Sequence, residues 1–472
     1  MLKKLFLAFF LVFTLIACDN SSTAITEEPT TSVTYHSITL ANEYTESTRE
    51  FESIAYGEMI DLPVDEIEGK VFVGWSDGEN IYNNNLTVQT SLSLQAVYEE
   101  VSAVFEYNSS PLTNEITITA YLGEGKYLRI PSRIDDYIVR GIATNAFDGS
   151  PIIEIELPSS IQRIYPNAFI DLLDLQKVSF YEGFAENVET VISKTEYDMI
   201  IESYSEQCQI TETTESGWKL SQGCPIIEVL NISEINVPGV GSYYNYTVLA
   251  DSSTISAGLT YMMIDSEAFT NLPELTTFAF PSNLEMFIPD MFNNTPKLNN
   301  LSFPETSRYF VEENIVYRFS TNNKYPDQSD VNLVYYPQGL TDKEFTVPEQ
   351  VTVIGSAAFA GNKYLEVVNM SANVTNIGFR AFTYVENLQE INLEENDSDF
   401  YTIDGVLYYR DVLATYPMAK EEKSFTVPED ISLIAALAFY GQKHLESINL
   451  NNGLISIGQS SFAKVEKLKM LN

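Results

Sequence analysis

Two stretches of the chain, residues 345–370 and 425–450, share one pattern, and this pattern decides the fold. They read FTVPEQVTVIGSAAFAGNKYLEVVNM and FTVPEDISLIAALAFYGQKHLESINL. In both, an isoleucine follows the proline after six residues and a phenylalanine follows it after eleven. A shared pattern of this length indicates a repeated structural unit.

The unit recurs along the chain, and each copy is marked by a phenylalanine that follows alanine, serine or methionine. An isoleucine, or in one copy a phenylalanine, lies five residues before each marker. Within pairs the markers are 22 or 23 residues apart. The eight marker phenylalanines are Phe147, Phe169, Phe269, Phe292, Phe359, Phe382, Phe439 and Phe462. This spacing indicates stacked units that pack against their neighbours.

Between the markers lies a strand pattern of the form L-x-x-I-x-L, as in LQEINL at 388–393 and LESINL at 445–450. Side chains alternate along a strand, so the first, fourth and sixth residues should point inward and the third and fifth outward. Burying about five large apolar groups contributes roughly 8–15 kcal/mol per unit. Ordering the unit costs roughly 33 kcal/mol, so the units must share one core.

The pattern resembles the BspA-like (type 5) leucine-rich repeat, which continues from L-x-x-I-x-L through an Ile-Gly step to Ala-Phe. Ile354-Gly355, Ile377-Gly378 and Ile457-Gly458 match the Ile-Gly step. The resemblance covers about residues 105–472. It implies a mainly β fold with short helical turns, a leucine-rich-repeat solenoid of 22–23-residue repeats with β-hairpin insertions.

Irregular segments divide this solenoid. We expect repeats at 101–180 and 251–472, with a divergent insertion between them at 181–250. The resemblance implies two β-hairpins, near 310–337 and 400–417. The hairpin tyrosines are either contact aromatics or packing groups, and packing is the more economical interpretation. The last residues, LKMLN, end partway through a further unit, so we expect that strand to be covered by a partner or continued by more sequence.

The first residues indicate export. A basic start and an apolar run too short for a membrane span fit a signal peptide at 1–17. The sequence LIAC, which ends at Cys18, resembles the lipobox of bacterial lipoproteins, and the resemblance implies cleavage before Cys18 and lipidation of its thiol. An ordinary signal peptide with a chance cysteine is the alternative. Residues 18–32 are polar and predict a lipidated cysteine followed by a flexible tether.

Residues 33–100 alternate apolar and polar side chains between turn residues, which indicates a small β module. GKVFVGW at 69–75 and LSLQAVY at 92–98 resemble the internalin-type B repeat, a β-grasp-like module. Tyr98 stands where that family usually has tryptophan. We expect Trp75 to be a core residue and not a ligand-stacking aromatic, and the module to act as a spacer.

Charge and composition exclude several functions. The 66 acidic and 26 basic residues give a net charge of −40, which opposes nucleic-acid binding. His36 and His444 are the only histidines, so a multi-histidine metal centre is improbable. The acidic runs at 327–330 and 396–399 lack calcium-loop spacing and are interpreted as solvated turns. We therefore predict no catalytic residues, no cofactor and no metal site.

The outward strand positions form the candidate binding surface, because they place small and polar groups on one exposed sheet. The alternative is that these residues only keep the sheet soluble. The candidate residues are Lys177, Ser179, Thr277, Asn300, Ser302, Asn369, Glu390, Asn392, Ser447 and Asn449.

The sequence thus predicts a non-enzymatic surface lipoprotein, anchored in the membrane by its lipid, whose solenoid binds an extracellular protein or glycan. The resemblance to BspA-like proteins implies a role in adhesion. The first alternative is a lipoprotein that captures a polysaccharide or solute for an uptake system. A second is an enzyme with its site in the 181–250 insertion.

Cys208 and Cys224 are the only thiols besides Cys18, and an extracellular pair so spaced favours a disulfide, with two unpaired thiols as the alternative. Such a bridge contributes about 3 kcal/mol in the chain-entropy model. The purified chain without residues 1–32 should therefore show no free thiol in denaturant until it is reduced. Two thiols titrated without reductant would contradict the pairing.

Overall fold

The computed structural model describes the main body of the chain and, between 182 and 261, only the backbone of five strands. The predicted signal peptide and tether, Cys18, Cys208, Cys224 and the acidic run 327–330 lie outside the described residues. The residues described in full are 34–110, 114–135, 137–181, 262–284, 286–305, 307–319 and 331–472.

The N-terminal module is a twisted sheet with a small core of its own. β1 pairs antiparallel with β2 and parallel with β7, and β7 pairs antiparallel with β4. Trp75 is only 2% exposed and lies in this core, where it contacts the ring of Phe72. The strands are β1 (Tyr35–Asn42), β2 (Ser47–Ala55), β3 (Met59–Asp61), β4 (Lys70–Ser76), β5 (Ile81–Tyr82), β6 (Asn85–Thr87) and β7 (Leu92–Glu100).

The first repeats follow directly after a single helical turn. β8 and β9 form an antiparallel pair, and β9 then pairs parallel with β12 as the coils begin to stack. The elements are α1 (Val101–Val104), β8 (Phe105–Ser110), β9 (Glu115–Tyr121), β10 (Tyr127–Arg129), β11 (Arg133–Ile134), β12 (Tyr137–Ile142), β13 (Glu154–Pro158), β14 (Arg163–Ile164), β15 (Phe169–Ile170) and β16 (Lys177–Tyr181).

The insertion forms its own antiparallel sheet, with the strand order β17-β21-β20-β19-β18. Its strands are β17 (Val188–Ser193), β18 (Ile210–Thr214), β19 (Gly217–Leu220), β20 (Ile226–Val237) and β21 (Gly241–Ala250). The solenoid then resumes through β22 (Met263–Ile264), β23 (Phe269–Thr270), β24 (Thr277–Ala279), a 3-10 turn (Pro289–Met291), β25 (Phe292–Asn293) and β26 (Asn300–Ser302). β24 pairs with β16 and β22 with β14, so the coils are in register across the insertion.

Two further blocks complete the solenoid, each a three-stranded meander followed by two coils. The second block contains β27 (Tyr309–Glu312), β28 (Ile315–Phe319), β29 (Val331–Tyr335), β30 (Glu344–Thr346), β31 (Val351–Ile354), β32 (Val367–Met370), β33 (Asn376–Ile377) and β34 (Glu390–Leu393). The third contains β35 (Phe400–Ile403), β36 (Val406–Tyr409), β37 (Val412–Thr415), β38 (Ser424–Thr426), β39 (Leu433–Ile434), β40 (Ser447–Asn449), β41 (Ser456–Ile457) and β42 (Met470–Leu471).

The meanders occupy the two segments where hairpin insertions are predicted, but their third strands belong to the solenoid. β29 pairs parallel with β31, and β37 pairs parallel with β39, so each third strand takes the position of a coil strand. Tyr335, Tyr336, Tyr408 and Tyr416 are at most 1% exposed. These tyrosines pack in the core, in agreement with the more economical interpretation.

The marker phenylalanines form a column of stacked rings inside the coils. Phe169 lies between Phe147 and Phe269, with ring centroids 4.8 Å from each and interplanar angles of 14° and 3°. Tyrosines from the meanders continue the column in the later blocks. Tyr336 lies 5.5 Å from Phe359, and Tyr416 lies 5.0 Å from Phe439. A single coil does not bury its own ring, which needs the ring of a neighbouring coil to cover it. The column therefore holds successive coils together.

The module is joined to the first repeats by strand pairing, and its role as a spacer stays a prediction. β4 pairs antiparallel with β10 of the first repeats, which makes the module sheet and the solenoid sheet continuous. Val71 and Val73 on β4 belong to the core of the first repeats, whereas Phe72 and Trp75 belong to the module core. β4 therefore lies between two cores, and its uninterrupted apolar run VFV reflects burial on both faces.

We expect the module and the first repeats to unfold together. In a Trp218→Phe background Trp75 is the only tryptophan, so its fluorescence reports on the module. Phe169→Ala removes a ring that is fully buried in the solenoid and should cost about 3–5 kcal/mol. The urea midpoint of the Trp75 signal should fall with it.

The matched control is Leu173→Ala, because Leu173 is 62% exposed on the same coil. This change should alter stability by less than about 0.5 kcal/mol. An unchanged Trp75 midpoint in Phe169→Ala, with a lowered midpoint for the β-sheet circular dichroism signal, would show that the module unfolds independently.

Candidate binding surface

The outward side chains of the L-x-x-I-x-L strands form one exposed surface, which we call the ladder face. It has three strips, one for each block. The first strip contains Glu154, Glu156, Lys177, Ser179, Thr277, Ala279, Asn300 and Ser302; the second contains Glu344, Thr346, Val367, Asn369, Glu390 and Asn392; the third contains Ser424, Thr426, Ser447, Asn449, Met470 and Asn472.

Strand alternation produces this face. Val368 and Met370 are at most 2% exposed and point into the core, whereas Val367 and Asn369 between them are partly exposed. Parallel pairing then places equivalent residues side by side, so that Asn369 lies opposite Asn392. Neighbouring strands are about 4.8 Å apart, so the face presents polar groups at that interval.

The amides of this face are hydrogen-bonded from strand to strand. In the second strip Asn392 Nδ2 donates to Asn369 Oδ1 at 3.0 Å, and Asn369 Nδ2 donates to Glu344 Oε1 at 2.8 Å. In the third strip Asn472 donates in the same way to Asn449 at 3.0 Å. We call each of these strand-to-strand hydrogen bonds a rung. An amide has two donor hydrogens and two acceptor lone pairs, so a rung fixes the orientation of the amide and leaves further donors and acceptors free for a ligand.

The N-terminal end of the first strip is covered by the loop at 83–85 of the module. Lys177, predicted as a contact residue, lies on the ladder face, but its ammonium binds this loop and lies 3.8 Å from the Glu154 carboxylate. The three loop contacts are Asn83 Nδ2 to Glu154 Oε1 at 2.5 Å, Asn84 Nδ2 to Glu156 Oε1 at 2.8 Å and Lys177 Nζ to Asn85 Oδ1 at 2.5 Å. The open part of the strip therefore begins beyond Lys177.

The junction beneath this loop is tightly packed. The Arg129 guanidinium lies 3.7 Å from the Tyr181 ring centroid and 3.1 Å from the Glu156 carboxylate. Burial raises the pKa of Tyr181 well above its usual value, and the nearby Glu66 carboxylate acts in the same direction. Tyr181 therefore stays protonated and donates to Ile130 O at 2.6 Å.

The open ladder face carries little charge, although the chain has a net charge of −40. The third strip consists of uncharged residues, and the second has only two glutamates, Glu344 and Glu390. Charged pairs lie along one border. Lys343 with Glu366 at 2.7 Å and Lys469 with Glu446 at 2.7 Å stand at the position before each strand, and Lys297 with Glu274 at 2.6 Å stands three positions before. Such exposed pairs add little stability, but they neutralise the border.

All ten candidate residues lie on the ladder face, in the strip of their own block. Sequence reasoning missed Glu344, Thr346, Ser424 and Thr426, which begin the second and third strips. The sequence did contain a signal for these residues. FTVP at 345–348 and 425–428 matches the end of the L-x-x-I-x-L strand pattern, one repeat before the strands that were recognised. Whether the candidate residues bind a partner stays a prediction.

The other sequence candidates have structural partners. Asp399 forms an ion pair with Arg410 at 2.7 Å, and this hydrogen bond holds the pKa of Asp399 below its usual range. Asn396 Nδ2 donates to Val374 O at 2.9 Å and fixes the turn. Among the residues that the structure describes, no group of three or more His, Cys, Asp or Glu is placed to hold a metal ion.

Within the part of the chain that the structure describes, no helix is both long enough and apolar enough to cross a bilayer.

Parallel coils of 22 or 23 residues, each with an L-x-x-I-x-L strand and a stacked phenylalanine, define a leucine-rich-repeat solenoid. The chain matches the BspA type leucine rich repeat region in six copies, at residues 128–216, 222–323, 337–409 and 418–472. These matches cover more than half of its length, and the chain belongs to this family.

Solved structures similar to this chain are bacterial. The pneumococcal vaccine antigen PcpA is 19% identical, with a TM-score of 0.35, over 78% of this chain and 67% of that one. A leucine rich cell surface protein from Faecalibacterium prausnitzii is 20% identical, with a TM-score of 0.32, over 78% and 93%. A leucine-rich repeat protein from Eubacterium ventriosum is 14% identical, with a TM-score of 0.27, over 79% and 70%. No curated protein matches the chain significantly.

Proposed function

We propose that this chain is a bacterial surface lipoprotein whose ladder face binds an extracellular protein, in an adhesive or other cell-surface interaction. The observation that carries the proposal is the low charge of the open ladder face, where Glu344 and Glu390 are the only charged members, on a strongly acidic protein. The cores of protein interfaces are depleted in charged residues, whereas most of a solvated acidic surface is not.

The shape and chemistry of the face suit a macromolecular partner. Its strips lie on parallel sheets and offer aligned amides and hydroxyls with remaining hydrogen-bonding capacity, such as Asn369, Asn392 and Asn449. The rungs hold these groups in place before binding, so little side-chain entropy is lost when a partner docks. A glycan polymer lying along the strips is the other extracellular ligand with matching hydrogen-bonding groups.

The anchor in this proposal is a lipid on Cys18, with residues 18–32 as the tether. Each buried CH₂ of an acyl chain contributes about 0.8 kcal/mol, so two or more chains retain a protein stably at the membrane. A similar solved structure, from Faecalibacterium prausnitzii, is named a leucine rich cell surface protein.

The anchor is tested by Cys18→Ser. This variant cannot be lipidated on sulfur, so we expect it to leave the membrane fraction and not to incorporate labelled fatty acid. Ser21→Ala, in the same segment, is the control and should remain membrane-bound. Membrane retention of Cys18→Ser equal to that of the parent would contradict lipid anchoring.

The ladder face is tested by two matched substitutions. Asn392→Arg places a long charged side chain on the second strip, whereas Asn376→Arg makes the same change on an exposed position of the neighbouring sheet. Binding of the full chain to an immobilised panel of purified extracellular proteins and glycans is measured for both. Asn392→Arg should weaken binding about tenfold or more, because it disturbs a packed interface, and Asn376→Arg by less than about twofold.

Three results would contradict the proposal. One is no binding to any panel member, and another is equal weakening by both substitutions. The third is stabilisation by a small solute with no macromolecular binding, which would favour the capture lipoprotein of an uptake system.

A further inference from the structure

A groove lies on another side of the solenoid, where the turns that carry the marker phenylalanines meet. All three blocks contribute to it, and it has a volume of about 690 Å³, within the range of ligand sites. The side chains that matter here are Asp290, Tyr335, Arg380, Tyr384, Tyr440 and Lys464. None of them belongs to the ladder face, so the groove is a separate surface.

One wall of the groove is aromatic. Tyr384 and Tyr440 meet edge to face, with centroids 4.9 Å apart and planes at 90°, and Tyr384 is 37% exposed. Arg380 and Lys464 lie above these rings, at 5.9 Å from the Tyr384 centroid and 5.5 Å from the Tyr440 centroid. A smaller cavity of about 290 Å³, which shares Arg380 and both tyrosines, continues the groove between the second and third blocks.

Two buried polar groups at the groove lack partners. Tyr335 is 1% exposed and lines the groove, and its hydroxyl makes no hydrogen bond of acceptable geometry, although the Gln338 backbone N–H and the Thr295 side chain lie beside it. The buried Nε of Arg380 also has no partner. Folded proteins satisfy most buried polar groups, so a ligand with hydroxyl groups would supply what these two lack.

Arg380 lies two positions before the marker Phe382 and lines the groove. Its guanidinium is 3.7 Å from the Asp290 carboxylate.

We infer that this groove binds an oligosaccharide. The apolar C–H face of a pyranose ring packs against tyrosine rings such as Tyr384 and Tyr440, which combine an apolar body with a polar tip. Its hydroxyls are both donors and acceptors, which matches the Arg380 donor, the Asp290 acceptor and the Tyr335 hydroxyl. Cations and carboxylates alternate in the lining, so the groove favours neither a polyanion nor a polycation.

The test uses the full chain in detergent and an array of uncharged gluco-, xylo- and chito-oligosaccharides. The parent should bind at least one of them. Tyr384→Ala should weaken that binding about tenfold or more through loss of the ring face. Tyr364→Ala is the matched control, because Tyr364 is 41% exposed on the same block and does not line the groove, and it should change binding by less than about twofold.

Tyr335→Phe separates ligand contact from folding. It removes only a hydroxyl that makes no well-formed hydrogen bond within the protein, so the thermal midpoint should be retained, while affinity should fall about threefold to tenfold. The inference is overturned if no oligosaccharide binds, if Tyr384→Ala or Tyr335→Phe binds as tightly as the parent, or if Tyr364→Ala weakens binding equally. Asn392→Arg should leave this binding unchanged, so failure here is distinguishable from failure of the ladder face.

Discussion

The stacked column of aromatic rings is the interaction on which the rest of the structure depends. Within a block the marker phenylalanines pack against the rings of neighbouring coils, as Phe169 does between Phe147 and Phe269. A coil that shifted by one residue would lose this stacking and turn its inward strand residues to solvent. The column therefore fixes the register of the strands, and the register fixes what each side of the solenoid presents.

Both proposed surfaces follow from that register. On the strand side it aligns Asn369 with Asn392 and produces rungs of amides with little charge. On the turn side it brings Tyr384 and Tyr440 together from different blocks, which no local sequence could achieve. The same repeat thus produces a broad polar face on one side and a narrow aromatic groove on another.

The features that repeat along the chain could be predicted from the sequence, and those formed once by distant segments could not. The solenoid and the orientation of residues such as Asn392 follow from a repeat of 22 or 23 residues, which any stacked coil must satisfy. The pairing of β4 with β10 joins two unrelated segments, so no spacing encodes it, and only the apolar run at Val71–Val73 hinted at burial on both faces. The groove could not be predicted from the sequence for the same reason, because its residues are distant from one another in the chain.

The meanders have a consequence for how this architecture can vary. Each meander begins with antiparallel strands, but its third strand, β29 or β37, pairs in parallel with the next coil, as the strand of an ordinary coil does. A meander with its two coils is therefore one unit, which the second and third blocks repeat with the same strand pairing. Adding or deleting one such unit would keep the same strand pairing at each junction. It would change the length of the solenoid and the number of strips, while the residues that form the core stay of the same kind.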